Sequence, residues 1–589
     1  MFFFHPLPLL SVLFGLVFAC PWALLLLGET RRSGLLVAVT TLALSVGGLT
    51  WSLMLLTWLG AATWGSAFLV MLIIFVVGLA RSRALLFAGF PKSPRAYGQK
   101  LIGAARQSPV SAAAVIITLS IAGLFLLNAI YWPFGDDDAI SIYAVHSLNI
   151  YQKGHFNTGI GLYEAYPMLV PLSYVYAYLS AGEVNEYLAR IFPAMLAVGT
   201  LGAAAALGQT LYNRRSGLIA LLLLALTPAF VRWAPTGYTD IPAAFFVTLA
   251  ALFAWRLAET GCSADALLAG MIVGLAAWTK NSTLSISGSL LIWLIGLRWQ
   301  RRITTRQIGV ALSALLVMAG PWYARNLLLY GLIVPDTAWT DRAVHTLSSA
   351  LPFLTEPSHF FLPGIVFTAG LAWALVESLR TLWMLVQRRD LNADPGLFKP
   401  WLLLIFALPF MAAWWWFGSY EVRFLVTVLP LIAVMGGRAA DRTWEWVGAR
   451  ITFPLRWRTA AQIITIVLLI GLALPSARKA LIFKDEMLRD PLMTDYERHR
   501  MRLGAIYDVA LYLNALPAEG RVLSDTYFLP FHARTVTVIV GGLPRPERLG
   551  RYTYLVYSPG RQPPDFVQPD DIQLLTEIGG YRVYWVVKE

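Results

Sequence analysis

The stretch YWPFGDDDAISIY, residues 131–143, follows the apolar run SAAAVIITLSIAGLFLLNAIYW (111–132) and sets Asp136, Asp137 and Asp138 side by side. A run of that length and composition spans the roughly 30 Å hydrocarbon core of a bilayer as a helix. Tyr131 and Trp132 suit its interface, so three carboxylates stand at the membrane edge. One of them is explained as an N-cap, accepting hydrogen bonds from the free amides of a helix beginning near Ala139. Three are not, because adjacent anions repel unless a cation, a metal or a proton relay occupies the site. A carboxylate here could act as general base toward a hydroxyl, and a D-x-D pair could hold a divalent cation.

Composition supports the membrane reading. The 589 residues are 58% hydrophobic and only 13% charged, with 22 Trp and 24 Tyr, against about 25% charged in a soluble domain. A β-barrel is excluded, because barrel strands alternate and these runs do not. The formal net charge of +13 would suggest nucleic acid in a soluble protein, but here the positive charge gathers between apolar runs, and no nucleic-acid partner is expected. Cys20 and Cys262, the only cysteines, fall in or beside spans, which disfavours a disulfide or a zinc-thiolate site. Residues 1–27 lack the basic region that precedes a cleaved signal and read as a retained helix.

Apolar runs predict about 14 spans, at 8–27, 34–57, 61–80, 110–131, 189–210, 217–233, 240–257, 264–280, 283–298, 308–325, 361–378, 399–417, 422–437 and 460–477. One set of alternate loops carries Arg31 and Arg32, the group from Arg81 and Arg83 through Lys92, Arg95, Lys100 and Arg106, then Arg214 and Arg215. It continues with Arg298, Arg301, Arg302 and Arg306, with Arg388 and Arg389, and with Arg438, Arg442, Arg450, Arg456 and Arg458. The positive-inside bias makes that set cytoplasmic and turns the three aspartates outward.

The outer segment 132–188 is too polar to span. Within it Ile140, Tyr143, Ala144, Leu148 and Tyr151 have helical spacing, so 139–152 is expected as an amphipathic helix lying at the interface. After 477 the sequence becomes ordinary soluble sequence: helices over KDEMLRDPLMTDYERHRMRLGAIYDVALYLNAL, and short strands at RVLSDTYF, TVTVIV, YTYLVYS and YRVYWVV. The expected organisation is an N-terminal transmembrane extension with a basic cytoplasmic loop (1–109), a transmembrane core with its long outer loop (110–477), and a small extracytoplasmic α/β domain (478–589).

Other outward polar residues join the aspartates. PTGYTDIPAAFF (235–246) puts Asp240 at the start of a span, where an N-cap is the plain alternative. Lys280 in WTKNSTL, Arg325 in GPWYARNLLLYG and Arg423 in SYEVRFL lie at outer span ends, against the positive-inside bias. Snorkelling accounts for one such cation, whereas three suit a phosphate presented by a lipid carrier. Glu164, with the outward His155, His345 and His359, offers ligand types but no HxxxH or HxxE spacing, and the metal ligands stay unassigned. No nucleophile elbow, P-loop or dinucleotide fingerprint is present.

In order and placement, DDDAISIY, YPMLVPLSYVYAYL, YTDIPAAFF, WTKNSTL, PWYARNLLLYGLIVP and EVRFLVTVLPLIAVMGG resemble the GT-C superfamily of polytopic glycosyltransferases. The branch is the bacterial one akin to protein O-mannosyltransferases and the aminoarabinose transferase of lipid A, and the likeness covers roughly residues 110–440. The resemblance implies a GT-C helical bundle that moves a sugar from a polyprenyl-phosphate carrier to an extracytoplasmic hydroxyl on a glycolipid, glycan or protein, commonly with inversion. It places the general base on Asp138 or Asp137, with Asp136 in the same cluster and Asp240 as second acid. It sets Arg325, Arg423 and Lys280 toward the donor phosphate, and Glu164, Tyr166 and Tyr238 about the substrate pocket. No cofactor is demanded, though a divalent ion, Mg2+ or Mn2+, is admitted. The partners implied are the polyprenyl-phosphate sugar, the acceptor and membrane lipid, at a bacterial plasma membrane with the site outward. Where the family often has an Asp-Glu pair this chain has three aspartates, and the lysine of the aminoarabinose branch's Glu-Lys-Pro-Pro stretch is replaced by Ala165.

A lipid-linked saccharide flippase or secondary transporter is the competing class. It would show internal repeats and ionisable residues deep in spans, whereas here the polar residues gather at span ends. A silent scaffold of an envelope complex is the third reading.

Overall fold

The computed structural model describes residues 5–28, 33–89, 108–156, 164–334, 340–388, 395–450, 455–517, 520–541 and 546–587. Arg31, Arg32, Lys92, Arg95, Lys100, Arg106 and Arg389 of the expected basic loops lie outside them. Among the described residues ten helices are long and apolar enough to cross a membrane, and they match ten of the expected spans. The chain is a multi-pass, mostly helical membrane protein.

The other four expected spans take different forms. Residues 217–233 become two helices, Arg214–Ala225 and Pro228–Trp233, broken where Pro228 removes an amide from the ladder. Residues 264–280 and 283–298 are the shorter helices Ser263–Thr279 and Leu284–Trp299, separated by a 3-10 turn at Asn281–Thr283. Residues 422–437 begin as a 3-10 turn, Val422–Thr427, and continue as Leu429–Gly448, whose second half is charged.

Asp240–Thr260 is the central helix, with nearly every side chain buried between Glu186–Leu211 and Ser263–Thr279. Small residues set the close approaches that packing between apolar helices needs. A Cβ on Gly270 would run into the Ala311 carbonyl of Thr305–Tyr330, which draws these two helices together. The outer faces are apolar and bare, as on Leu455–Ala480, where Ile463, Ile464, Val467 and Leu468 are exposed.

The segment after Asp138 corrects the expected interfacial helix. It opens as a π-helix, Ala139–Ala144, and continues as Val145–Lys153. Ile140, Tyr143, Ala144 and Leu148 are buried as expected, but so are Ala139, Ile142, His146, Ser147 and Ile150. The cause is a helix hidden in the long outer loop, Leu169–Ala181, which packs on one side while Leu529–His532 packs on another. Leu169–Ala181 is itself held by the N-terminal spans, with Ser11 Oγ 2.7 Å from Tyr176 OH. An element covered on several faces cannot lie on a bilayer.

The C-terminal region forms a five-stranded mixed sheet in the order β2-β1-β3-β5-β4. The strands are β1 Arg521–Ser524, β2 Thr537–Val540, β3 Tyr554–Tyr557, β4 Ile572–Ile578 and β5 Tyr581–Val586. Strand β1 runs parallel to β2 and β3, and the β3-β5 and β5-β4 pairs are antiparallel. Four strands were expected. β4 is the addition, an edge strand whose residues are all at least partly exposed and which therefore lacks a buried apolar face. Ile506, Val509 and Leu513 of Ala505–Asn514 cover one face of the sheet.

Candidate functional site

Two loops converge at one end of the bundle, and a buried arginine ties them. Arg190, one turn into Glu186–Leu211, donates to the carbonyls of Asn128, in the last turn of Pro109–Tyr131, of Trp132 and Pro133 on the loop that follows, and of Pro235 on the other loop. Five fixed donors on a planar guanidinium suit this splayed set of acceptors. Tyr174 adds a 2.8 Å hydrogen bond to the Gly237 carbonyl. Asp138 and Asp240, 102 positions apart in the chain, become neighbours as a result.

Arg423 bridges them. Its Nη2 donates to Asp138 Oδ2 at 2.8 Å and its Nε lies 3.7 Å from Asp240 Oδ2. Lys280 Nζ bonds the other Asp240 oxygen. The guanidinium sits over the Tyr238 ring at 4.3 Å and near Trp233 at 5.1 Å, and the Lys280 ammonium lies 4.3 Å over Phe424. Aromatic faces hold cations without neutralising them. Neither aspartate makes a side-chain cap to its helix, so the N-cap alternative gives way to an alternating line of charges: Asp138, Arg423, Asp240, Lys280.

The three consecutive aspartates separate into different environments. Asp136 is buried and bound, 2.7 Å from Arg502 and 3.5 Å from Arg232. Asp138 is partly exposed and paired. Asp137 is exposed and has no ion-pair partner among the described residues. Desolvation, with Asp138 and Asp136 beside it, raises its pKa above the ordinary carboxylate value, against the opposing pull of Arg423. One of the three is therefore a free base with increased proton affinity.

Lys280 also lines a largely apolar cavity of about 710 Å3. Tyr143, Tyr166 and Thr239 are on its wall, with Phe410, Trp414 and Phe424 opposite the polar groups in character. Tyr143 OH and Thr239 Oγ1 are 2.9 Å apart. Such a cavity suits an amphiphile: apolar lining for a chain, and one cation, Lys280, on the wall for an anionic head.

Tyr238 and Tyr166 thus fall at the cluster and on the cavity wall. Arg325 and Glu164 are not brought to the charge line. Arg325 packs over Trp322 at 4.4 Å and lines other pockets with His155 and Phe156, while Glu164 accepts from Tyr330 OH at 2.7 Å. The candidate histidines stay apart: His155 contacts Phe156, His345 stacks on Trp416, and His359 lies by Glu356. Arg423 stands between Asp138 and Asp240, and Lys280 takes the other Asp240 oxygen, so both carboxylates are already paired with cations. Sequence reasoning missed Arg190, Arg232 and Arg502. Only Arg190 left a visible sign, a charge placed inside the apolar run EYLARIFPAML.

Residues 169–324 match the family model described as dolichyl-phosphate-mannose-protein mannosyltransferase. No curated protein matches the sequence. Among solved structures, ArnT from Cupriavidus metallidurans in the apo state superposes with a TM-score of 0.54 at 16% identity, over 80% of this chain and 97% of that one. The same protein bound to undecaprenyl phosphate gives 0.52 at 16% identity, with the same coverage. At that identity the likeness carries the fold.

Proposed function

We propose that this chain is a GT-C-type, polyprenyl-phosphate-dependent glycosyltransferase, a reading supported by the family model and the fold, and that it transfers its sugar to a hydroxyl acceptor at the outer face of a bacterial plasma membrane, with Asp137 as base. The carrying observation is the division of labour among the carboxylates. Asp138 and Asp240 are bound to Arg423 and Lys280, and Asp137 alone of the cluster is free.

On this reading the carrier's apolar chain enters the cavity behind Tyr166 and Phe424, and its phosphate meets Lys280 and Arg423. Both cations turn part of their hydrogen bonding from the aspartates to the phosphate. Asp137 takes the proton of the acceptor hydroxyl as its oxygen bonds to the anomeric carbon. The bond from that carbon to the phosphate oxygen breaks on the opposite side, which inverts the centre. Negative charge grows on the leaving phosphate, where Lys280 and Arg423 stabilise it more strongly than in the ground state. Asp138 and Asp240 keep the two cations aimed while the site is empty. Asp136 anchors the loop, and Tyr238 supports Arg423 from below.

The test supplies full-length protein in proteoliposomes with a panel of undecaprenyl-phosphate-linked sugars and extracted envelope acceptors, and follows release of undecaprenyl phosphate. Asp137→Asn is expected to abolish release, and Asp138→Asn to weaken donor binding. Translocation of the lipid-linked sugar without any release would favour the flippase and overturn the proposal.

A further inference from the structure

A second cluster lies where the C-terminal region meets the bundle. Glu186, the first residue of its helix, is buried, and its Oε2 accepts from the Phe134 amide at 2.9 Å. Its Oε1 faces two buried imidazoles: His499 Nε2 at 3.1 Å and His532 Nδ1 at 4.0 Å. One donor atom from each of the three side chains falls within 4.8 Å of the others.

The second nitrogen of His499 fixes the chemistry of the first. Its Nδ1 lies 2.9 Å from the Asp495 carbonyl, an acceptor, so that nitrogen carries the proton. In the neutral ring Nε2 then presents a lone pair to a carboxylate oxygen, a contact of two acceptors that needs a proton or a cation between them. An imidazole whose far nitrogen donates to a backbone carbonyl is the common form of a metal-bound histidine. Tyr507 stacks on the ring at 4.5 Å and 14° and holds its plane.

His532 supplies the independent observation. It is 6% exposed; its Nδ1 is turned to Glu186 Oε1 at 4.0 Å, beyond hydrogen-bond reach, and its other nitrogen, Nε2, is buried without a hydrogen-bond partner. A structural imidazolium–carboxylate clamp between His499 and Glu186 has no use for it. Arg534 comes within 3.7 Å of the same carboxylate, but it is 36% exposed and borders a cavity of about 440 Å3 into which it can turn. That cavity leaves room for water as a fourth ligand.

We propose that Glu186, His499 and His532 form a structural site for a borderline divalent transition metal, Zn2+ above all. Two imidazoles and one carboxylate are a zinc-type donor set, whereas Mg2+ and Mn2+ prefer oxygen. Tetrahedral bonds near 2.0–2.1 Å put ligand atoms about 3.3 Å apart, so the site closes with ring movements under about 1 Å. The metal joins the bundle, through Glu186, to two separate elements of the C-terminal region. One of those, Asp495–Leu503, also carries Arg502, which grips Asp136. The ion therefore braces the aspartate loop from outside without touching substrate.

Untagged full-length protein in detergent is analysed for metal, stripped with chelator, and titrated with Co2+ alone. The expected result is one zinc per chain, a lower melting temperature after stripping, and the visible bands of four-coordinate Co2+ on titration. Glu186→Gln and His532→Ala are expected to lose both metal and bands. Should these variants fail to fold, X-ray absorption on the wild type counts two imidazoles. Wild-type protein that holds no metal, gives no Co2+ bands and melts unchanged after chelation would overturn the proposal, as would full metal content in His532→Ala.

Discussion

Replacing Arg423 with Gln removes the one side chain that, among the described residues, is ion-paired to both Asp138 and Asp240. Its side chain is 11% exposed and it bonds Asp138 at 2.8 Å, so it works in a partly desolvated setting. A hydrogen bond between a charged group and a phosphate contributes about 1.5–3 kcal/mol. Undecaprenyl phosphate should therefore bind Arg423→Gln roughly 10- to 150-fold more weakly, at 1.4 kcal/mol per decade. Arg423→Lys keeps the charge but not the reach of a guanidinium, and an intermediate loss, on the order of 5-fold, is expected. Arg380, which is 69% exposed and pairs loosely with Glu377, gives the control: Arg380→Gln should bind like wild type. Binding is read by quenching of tryptophan fluorescence in detergent micelles, with melting curves to confirm folding. An Arg423→Gln protein that is folded and binds within about 2-fold of wild type, well under 1 kcal/mol, would refute the phosphate seat.

Three further outcomes are expected. Partial desolvation and the neighbouring Asp138 and Asp136 hold the Asp137 proton more tightly in the folded chain, so that stability is present at acid pH and lost as pH rises through the folded pKa. The melting temperature of Asp137→Asn relative to wild type should therefore rise from acid to neutral pH, while transfer is lost at every pH; a difference that stays constant or falls over that range would contradict this. A Cβ on Gly135 would collide with the Arg502 guanidinium, so Gly135→Ala should displace that arginine from Asp136 and lower transfer about 10-fold, or roughly 1.4 kcal/mol, in the same release assay. At the opposite end of the bundle Asp441 is fully buried, accepting from Asn213 at 2.7 Å, Ser216 at 2.9 Å and Arg438 at 3.1 Å. Asp441→Ala strands those donors and should cost about 3 kcal/mol in thermal or denaturant unfolding, without changing the affinity of surviving protein for undecaprenyl phosphate.

The spans were legible because a bilayer demands long apolar runs, and ten of them recur as helical segments long and apolar enough to cross it. The four that differ do so where Pro228, the polar turn at Asn281–Thr283 and the charged second half of Leu429–Gly448 interrupt the pattern. Asp138, Asp240, Lys280 and Arg423 could be picked out as outward charges at span ends, and the fold brings these four into one line. Which aspartate stays free could not be read, since that depends on Arg502 and Arg232, which lie 366 and 96 positions from Asp136. The burial of the segment after Asp138 was illegible for the same reason. Its five spaced apolar residues describe one face, while the cover on the others comes from Leu169–Ala181 and Leu529–His532.

The most direct test of the central claim is a structure of the full-length protein with undecaprenyl phosphate bound. Phosphate oxygens are expected within hydrogen-bond distance of Lys280 Nζ and the Arg423 guanidinium, with the isoprenoid chain against Phe410, Trp414 and Phe424 and Asp137 still unpaired. A phosphate seated away from both cations, with Asp138 and Asp240 still bound to Arg423, would contradict it.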